Sequence, residues 1–111
     1  VLMAKLKSQL IVNAAMRLAD QQIIPFYVLK KGDPDSGILF IEVEDGPTMS
    51  RLFTRAINFD GIYEYRAISG DAPLPRFEIS EMIDREIGRD DDCWVISTAG
   101  EKGLQLFTQI T

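Results

Sequence analysis

The chain contains no histidine. This removes the commonest general base at neutral pH and the commonest imidazole metal ligand. There is a single cysteine, Cys93, so no disulfide can close within the chain, and an oxidising compartment is not required. No stretch approaches the ~18 apolar residues of a membrane span. The opening VLMAKLKSQLIVNAAM lacks the compact apolar core and small-residue cleavage site of a secretory signal. The expectation is a cytoplasmic protein with no membrane partner. Basic residues are also in deficit: 12 Lys and Arg against 17 Asp and Glu leave a net charge of -5. An acidic chain repels a phosphate backbone unless its basic residues cluster, so nucleic acid is not an expected partner.

What is present is ordinary for a globular protein: 46% of the 111 residues are hydrophobic and 26% charged. A chain of this size is expected to form one domain, residues 1–111, and to bury roughly 65% of the surface its unfolded form exposes. That core needs neither metal nor disulfide.

Leu6, Leu10, Ala14 and Leu18 recur every four residues, with Ile11 and Ala15 beside them, and predict an amphipathic helix. Ser8 is placed to cap its start, and Pro25 bars helix at Ile24. PFYVLKK and ILFIEVE then flank GDPDSG. Folded symmetrically about that loop, Leu29 opposes Phe40 and Val28 opposes Ile41. Phe26, Val28, Leu39, Ile41 and Val43 then share one face, and Leu29, Ile38 and Phe40 the other. Apolar residues on both faces predict a hairpin central in its sheet.

SRLFTRAI and IYEYRAIS around NFDG predict a second hairpin, with Arg55 opposite Glu64. Pro73 and Pro75 mark a connector. A helix is expected over Glu78 to Ile87, with Gly88 as its C-terminal cap. After Asp90-Asp91-Asp92, CWVIST and LQLFTQI read as a third hairpin. The expected fold is α+β: a mainly antiparallel sheet of three hairpins with two helices packed on it, one on each face or both on one.

The carboxylates invite a test for metal chemistry. Asp33-x-Asp35 with Gly37 has a partial calcium-loop spacing, but the sixth position is Ile38 where such a loop needs glycine. GDPDSG opens a strand, not the helix that a phosphate loop requires. A turn accounts for the stretch directly. Pro34 supplies a fixed φ, Asp33 accepts the backbone N–H of Asp35, and Gly32 and Gly37 permit unusual φ values. Asp35 and Glu42 stand at opposite ends of a short strand, ~20 Å apart at strand rise, too far to share an ion. Glu42 and Glu44 read as strand-end solvating charges. Cys93 follows three aspartates, which hold a thiol protonated, and reads as inert and semi-buried. Arg51, Arg55 and Arg66 with Phe53, Tyr63 and Tyr65 have the composition of a stacking platform for single strands. The expected register, however, puts the tyrosines on the other face of the hairpin from the arginines.

The motif order SQLIVNAAMRLAD, VLKKGDPDSGILFIEVE and DDDCWVIST resembles the bacterial domain-of-unknown-function family 1491 (DUF1491) over nearly the whole chain. The specific parts are Lys31 to Gly37 and Asp92-Cys93-Trp94-Val95, with Arg17 in the first helix. Gln21-Gln22 replaces the glycine that such proteins tend to carry before the first strand. The resemblance implies a fold type and bacterial origin without an activity.

Two lysines beside two aspartates make a mixed, directional patch. The leading expectation is a non-catalytic domain that binds a protein or small anionic partner through Lys30, Lys31, Asp33 and Asp35, joined by Arg17, with no cofactor. The rival is a metal-dependent hydrolase or nuclease using Asp33, Asp35 and Glu42. A third reading is a homodimer or larger homo-oligomer formed through a strand edge, with LQLFTQI as the strand.

Overall fold

The computed structural model describes residues 6–110. The elements run α1 (Ser8–Gln22), β1 (Phe26–Lys30), β2 (Leu39–Asp45), β3 (Met49–Ile57), β4 (Tyr63–Ala67), β5 (Leu74–Pro75), α2 (Arg76–Arg89), β6 (Trp94–Ala99) and α3 (Gly100–Thr108). Among the described residues the fold is α+β, with three helices and one mixed six-stranded sheet. Its order is β1-β6-β2-β3-β4, and β5 is a short addition on β3. All pairs are antiparallel except β2 with β6, which is parallel.

The helices divide the sheet into two cores. On one face Ile11, Val12, Ala15 and Ala19 of α1 and Leu106 and Phe107 of α3 pack on Leu39, Ile41, Val43, Phe53, Trp94 and Ile96. On the other, Ile79 and Ile83 of α2 cover Phe40, Leu52, Cys93 and Val95. Each large side chain buried in this way contributes about 1.5–3 kcal/mol. The first two helices therefore lie on opposite faces, and a third joins α1.

Several expectations are corrected. The first hairpin does not form, because β6 lies between β1 and β2. Val28 and Ile41, expected to oppose each other, flank Ile96 from either side. Phe26, Val28, Leu39, Ile41 and Val43 nevertheless belong to one core, since a single interposed strand preserves the in–out parity.

The β3–β4 hairpin forms one residue out of the expected register. Arg55 opposes Tyr65, and Glu64 opposes Ala56. Asn58 sets this: its side-chain oxygen accepts the N–H groups of Asp60 and Ile62, and its own N–H donates to the Ile62 carbonyl. The loop therefore centres on Asp60, and the slip moves Tyr63 and Tyr65 to the same face as Arg51 and Arg55.

LQLFTQI is helical and belongs to no hairpin. Gly103, Leu106 and Phe107 bury one face of α3 at helical spacing. In α2, which starts at Arg76, Gly88 lies inside the helix, and Asp90 ends it. In α1, Lys7 is the N-cap and the buried face is Ser8, Ile11, Val12, Ala15 and Ala19. Leu10 is more than half exposed. Ile23 adopts a left-handed φ of 56° and the Ile24 N–H donates to the Ala19 carbonyl, which closes the helix before Pro25.

α3 approaches β6 closely at Gly103, where an added Cβ would lie 2.8 Å from Cγ2 of buried Thr98. Gly103→Ala should cost about 1–3 kcal/mol in urea unfolding. Adding Thr98→Ala should recover part of that loss. Additive losses in the double variant would contradict the contact.

Candidate functional site

The stretch from Lys31 to Ile38 joins two strands that are consecutive in sequence but not adjacent in the sheet. It therefore crosses over the start of β6 as a strap. At Gly32 an added Cβ would fall 2.6 Å from the Cys93 carbonyl carbon, and at Gly37 2.8 Å from Trp94 Cδ1. Neither glycine has positive φ. They are required for close backbone approach, which corrects the expectation of unusual dihedrals.

The crossing is hydrogen-bonded throughout. The Asp33 N–H donates to the Asp92 carbonyl at 2.8 Å, and the Trp94 N–H to the Ile38 carbonyl at 2.8 Å. Trp94 Nε1 donates to the Asp33 carbonyl at 2.8 Å. Lys30 Nζ donates to the carbonyls of Asp91 and Cys93. The two most distinctive sequence motifs are thus one joint.

The strap also starts α1. Among the described residues no side chain caps that helix. Instead the N–H groups of Ser8 and Gln9 donate to the carbonyls of Asp35 and Pro34, satisfying donors that a helix start leaves open. The Ser8 hydroxyl donates to the Gly37 carbonyl, so Ser8 is a buried anchor and not the cap.

Lys30 and Asp33 are committed to this joint. Oδ2 of Asp33 accepts N–H of Asp35, N–H of Ser36 and the Ser36 hydroxyl, as expected of the turn. These bonds, led by the Ser36 N–H, hold its carboxyl below the ordinary value of 3.8, against a smaller opposing effect of desolvation. Lys31 is exposed. Asp35 pairs with Lys7 at 3.5 Å on the surface. Arg17 is nine residues beyond Ser8, about 14 Å along α1. It lines a separate groove with Leu10, Asn13, Ala14, Leu18 and Gln21.

Glu42 is not a strand-end solvating charge. It is buried on the α2 side, accepts from the Ser50 hydroxyl at 2.8 Å, and lies 3.6 Å from Arg76 Nε. Glu44 pairs with the same arginine at 2.9 Å, so the two carboxylates pin the start of α2. Among the described residues the only acidic cluster with metal-ligand proximity is Asp90, Asp91 and Asp92, and Asp33, Asp35 and Glu42 do not converge. Asp90 is used in its own turn, accepting the Asp92 N–H. Cys93 is fully buried, beyond the semi-buried expectation, and burial pushes its thiol pKa up.

One feature is hidden from the sequence by the slip in the β3–β4 register. Beyond the strap, a pocket of about 340 Å³ opens between it and that hairpin. Leu6, Asp35, Ser36, Gly37, Arg55 and Tyr63 are among its lining residues. The Arg55 guanidinium stacks on the Tyr63 ring, 3.6 Å from its centre. The other rings of that face are engaged inward, Phe53 in the core and Tyr65 against Phe107. Arg51 likewise lies over Phe53, 5.1 Å from its centre, so the face carries two separate arginine–ring contacts and not an extended platform.

A family model described as a protein of unknown function, DUF1491, matches residues 6–108. Three solved structures share the fold at 23% sequence identity. A crystal structure of a DUF1491 family protein from Caulobacter crescentus CB15 has a TM-score of 0.79, covering 93% of this chain and 95% of that one. An NMR structure of a DUF1491 family protein from the same organism has 0.77, with 94% of each chain covered. The solution structure of protein Atu0922 from A. tumefaciens has 0.69, with 87% of each covered. No curated protein matches the chain.

Two outcomes are expected at the joint. Gly32→Ala should destabilise by about 3 kcal/mol, the upper end for overpacking, because the opposing atoms are backbone. Loss of the fluorescence signature of the single tryptophan, Trp94, at lower urea would report it. The Asp33 carboxyl is depressed in the folded state, so its charge stabilises above the ordinary value of 3.8. That contribution disappears as pH falls through the lower folded value. Asp33→Asn should therefore lower the melting temperature at pH 7, with the gap closing in strong acid. A gap independent of pH would show that the charge has no part in it.

Proposed function

The chain belongs to the DUF1491 family, and on that footing we propose that it is a small non-catalytic binding domain. Its partner is a protein engaged at the end of the molecule where the strap meets the β3–β4 hairpin. One observation carries the reading. Phe59 stands wholly exposed at the hairpin tip, with Ile57 and Ile62 more than half exposed beside it. Ile38 is nearly half exposed on the neighbouring wall of the pocket. Large apolar side chains gathered at one projecting edge mark an interaction surface, whereas scattered ones do not. The hydrogen bonds of the joint tie down one wall of that surface, which favours a low ordering cost on binding. The chemistry supports binding over catalysis, because the carboxylates a metal hydrolase would use are apart and Glu42 is tied to Ser50 and Arg76. A cytoplasmic setting is part of the same proposal.

A second reading, self-association through a strand edge, attaches to β4 in place of the helical LQLFTQI segment. An antiparallel pairing of two copies centred on Tyr65 would set Glu64 of each against Arg66 of the other, a favourable cross-strand arrangement.

Affinity capture with the wild-type chain, Phe59→Ser and Arg17→Ala separates these. A partner retained by wild type and Arg17→Ala but lost by Phe59→Ser supports the hairpin end. A partner retained by all three excludes it. A concentration-dependent dimer in light scattering, abolished by Glu64→Arg and restored by adding Arg66→Glu, would favour the β4 edge.

A further inference from the structure

We infer that the Arg55–Tyr63 pocket is a receptor for a single carboxylate. The inference rests on the reading of this end of the molecule as the binding surface. It supplies the chemistry recognised there.

Two donors of Arg55 are unmet. Its Nε and Nη2 are closed to solvent, and neither meets an acceptor among the described residues. These two nitrogens lie along one edge of the planar guanidinium, the edge that pairs with two oxygens of an oxyanion. Buried donors of a charged group without an acceptor are costly, and such sites call for an explanation. No ion pair involves Arg55 among the described residues, although Arg51, Arg66, Arg76 and Arg89 each have a carboxylate partner. The Tyr63 ring beneath the guanidinium holds it flat without quenching its charge. The side chain lines the pocket, and binding requires the guanidinium to turn so that this edge, closed to solvent in the free protein, meets the ligand there.

The pocket also selects among anions. Asp35 lines it, and the charge of Asp35 is paired with that of Lys7. One uncompensated positive charge remains, which suits a monoanion. A dianionic phosphate would exceed that single charge and find too few donors. A volume near 340 Å³ is at the small end for ligand pockets and admits an acidic side chain or a small organic acid. Both sources present the same carboxylate. The exposed ring of Phe59 nearby favours the acidic side chain of a protein partner.

The test follows the Arg55 Nε–H resonance in nitrogen-15 spectra of the whole chain, titrated with sodium acetate, sodium phosphate, and sodium chloride at matched ionic strength. The expected result is a saturable shift with acetate that phosphate produces more weakly and chloride does not produce. In Arg55→Lys, which keeps the charge but not the fork, the acetate response of neighbouring amides at Ser36 and Tyr63 should weaken about ten-fold. The remaining spectrum should superimpose on wild type, which shows the variant is folded. A short peptide with one glutamate beside an aromatic residue should compete with acetate if a partner side chain is the source, and a small acid alone should suffice otherwise. Tighter binding of phosphate than acetate, or no saturable shift with any anion, overturns the inference. Because acetate is tested without a partner, a failure here with partner capture still dependent on Phe59 removes the carboxylate site alone. Acetate binding with capture indifferent to Phe59 removes the docking surface alone.

Discussion

The passage of one backbone directly over another, at the start of β6, is the constraint on which the rest of this structure depends. β1 and β2 follow each other in sequence, yet β6 separates them in the sheet. The linking chain must clear the residues that lead into β6. It does so at a distance that leaves no room for a Cβ at Gly32 or Gly37. The remaining features of that corner follow. Trp94 turns its indole N–H up to the strap, Lys30 clamps the carbonyls leading into β6, and the strap's own carbonyls receive the first N–H groups of α1. Three segments distant in sequence are set by one crossing.

That arrangement gives a structural task to two of the residues expected to form a site. Lysine and aspartate beside glycines suggest recognition when read along the chain. In three dimensions Lys30 and Asp33 satisfy buried or turn backbone groups. The same holds for Glu42, whose charge fastens the start of α2. What the joint leaves to the outside is its far wall, where Asp35 and Ser36 face Arg55 and Tyr63 across a pocket. The proposed binding surface is where side chains remain open beside this hydrogen-bonded joint.

Much of the local order is legible in the sequence. Alternation places Phe26, Val28, Leu39, Ile41 and Val43 in one core, and turn chemistry places the Asp33 carboxylate. What is illegible is non-local. Nothing in residues 26–41 announces that Ile96 will stand between Val28 and Ile41. In α1 two apolar stripes lie side by side, and the one with Ala15 and Ala19 wins because small residues let the helix approach the sheet. In α3 the alternation of Leu104 and Leu106 suggests a strand, while Gly103, Leu106 and Phe107 carry the helical spacing. A single residue of register in the β3–β4 hairpin, set by the Asn58 side chain, conceals the meeting of Arg55 with Tyr63. A period-two element punishes such a slip completely, since every side chain changes face.

Native-state hydrogen exchange tests the central claim most directly. If the strap, the entry to β6 and the start of α1 form one joint, the amides of Asp33, Trp94 and Gln9 will open only with the core, at the same free energy as Val95 and Ile96. Asp33 and Gln9 exchanging freely while β6 stays protected would mean that the strap is a loose surface loop, and that the crossing does not organise the fold.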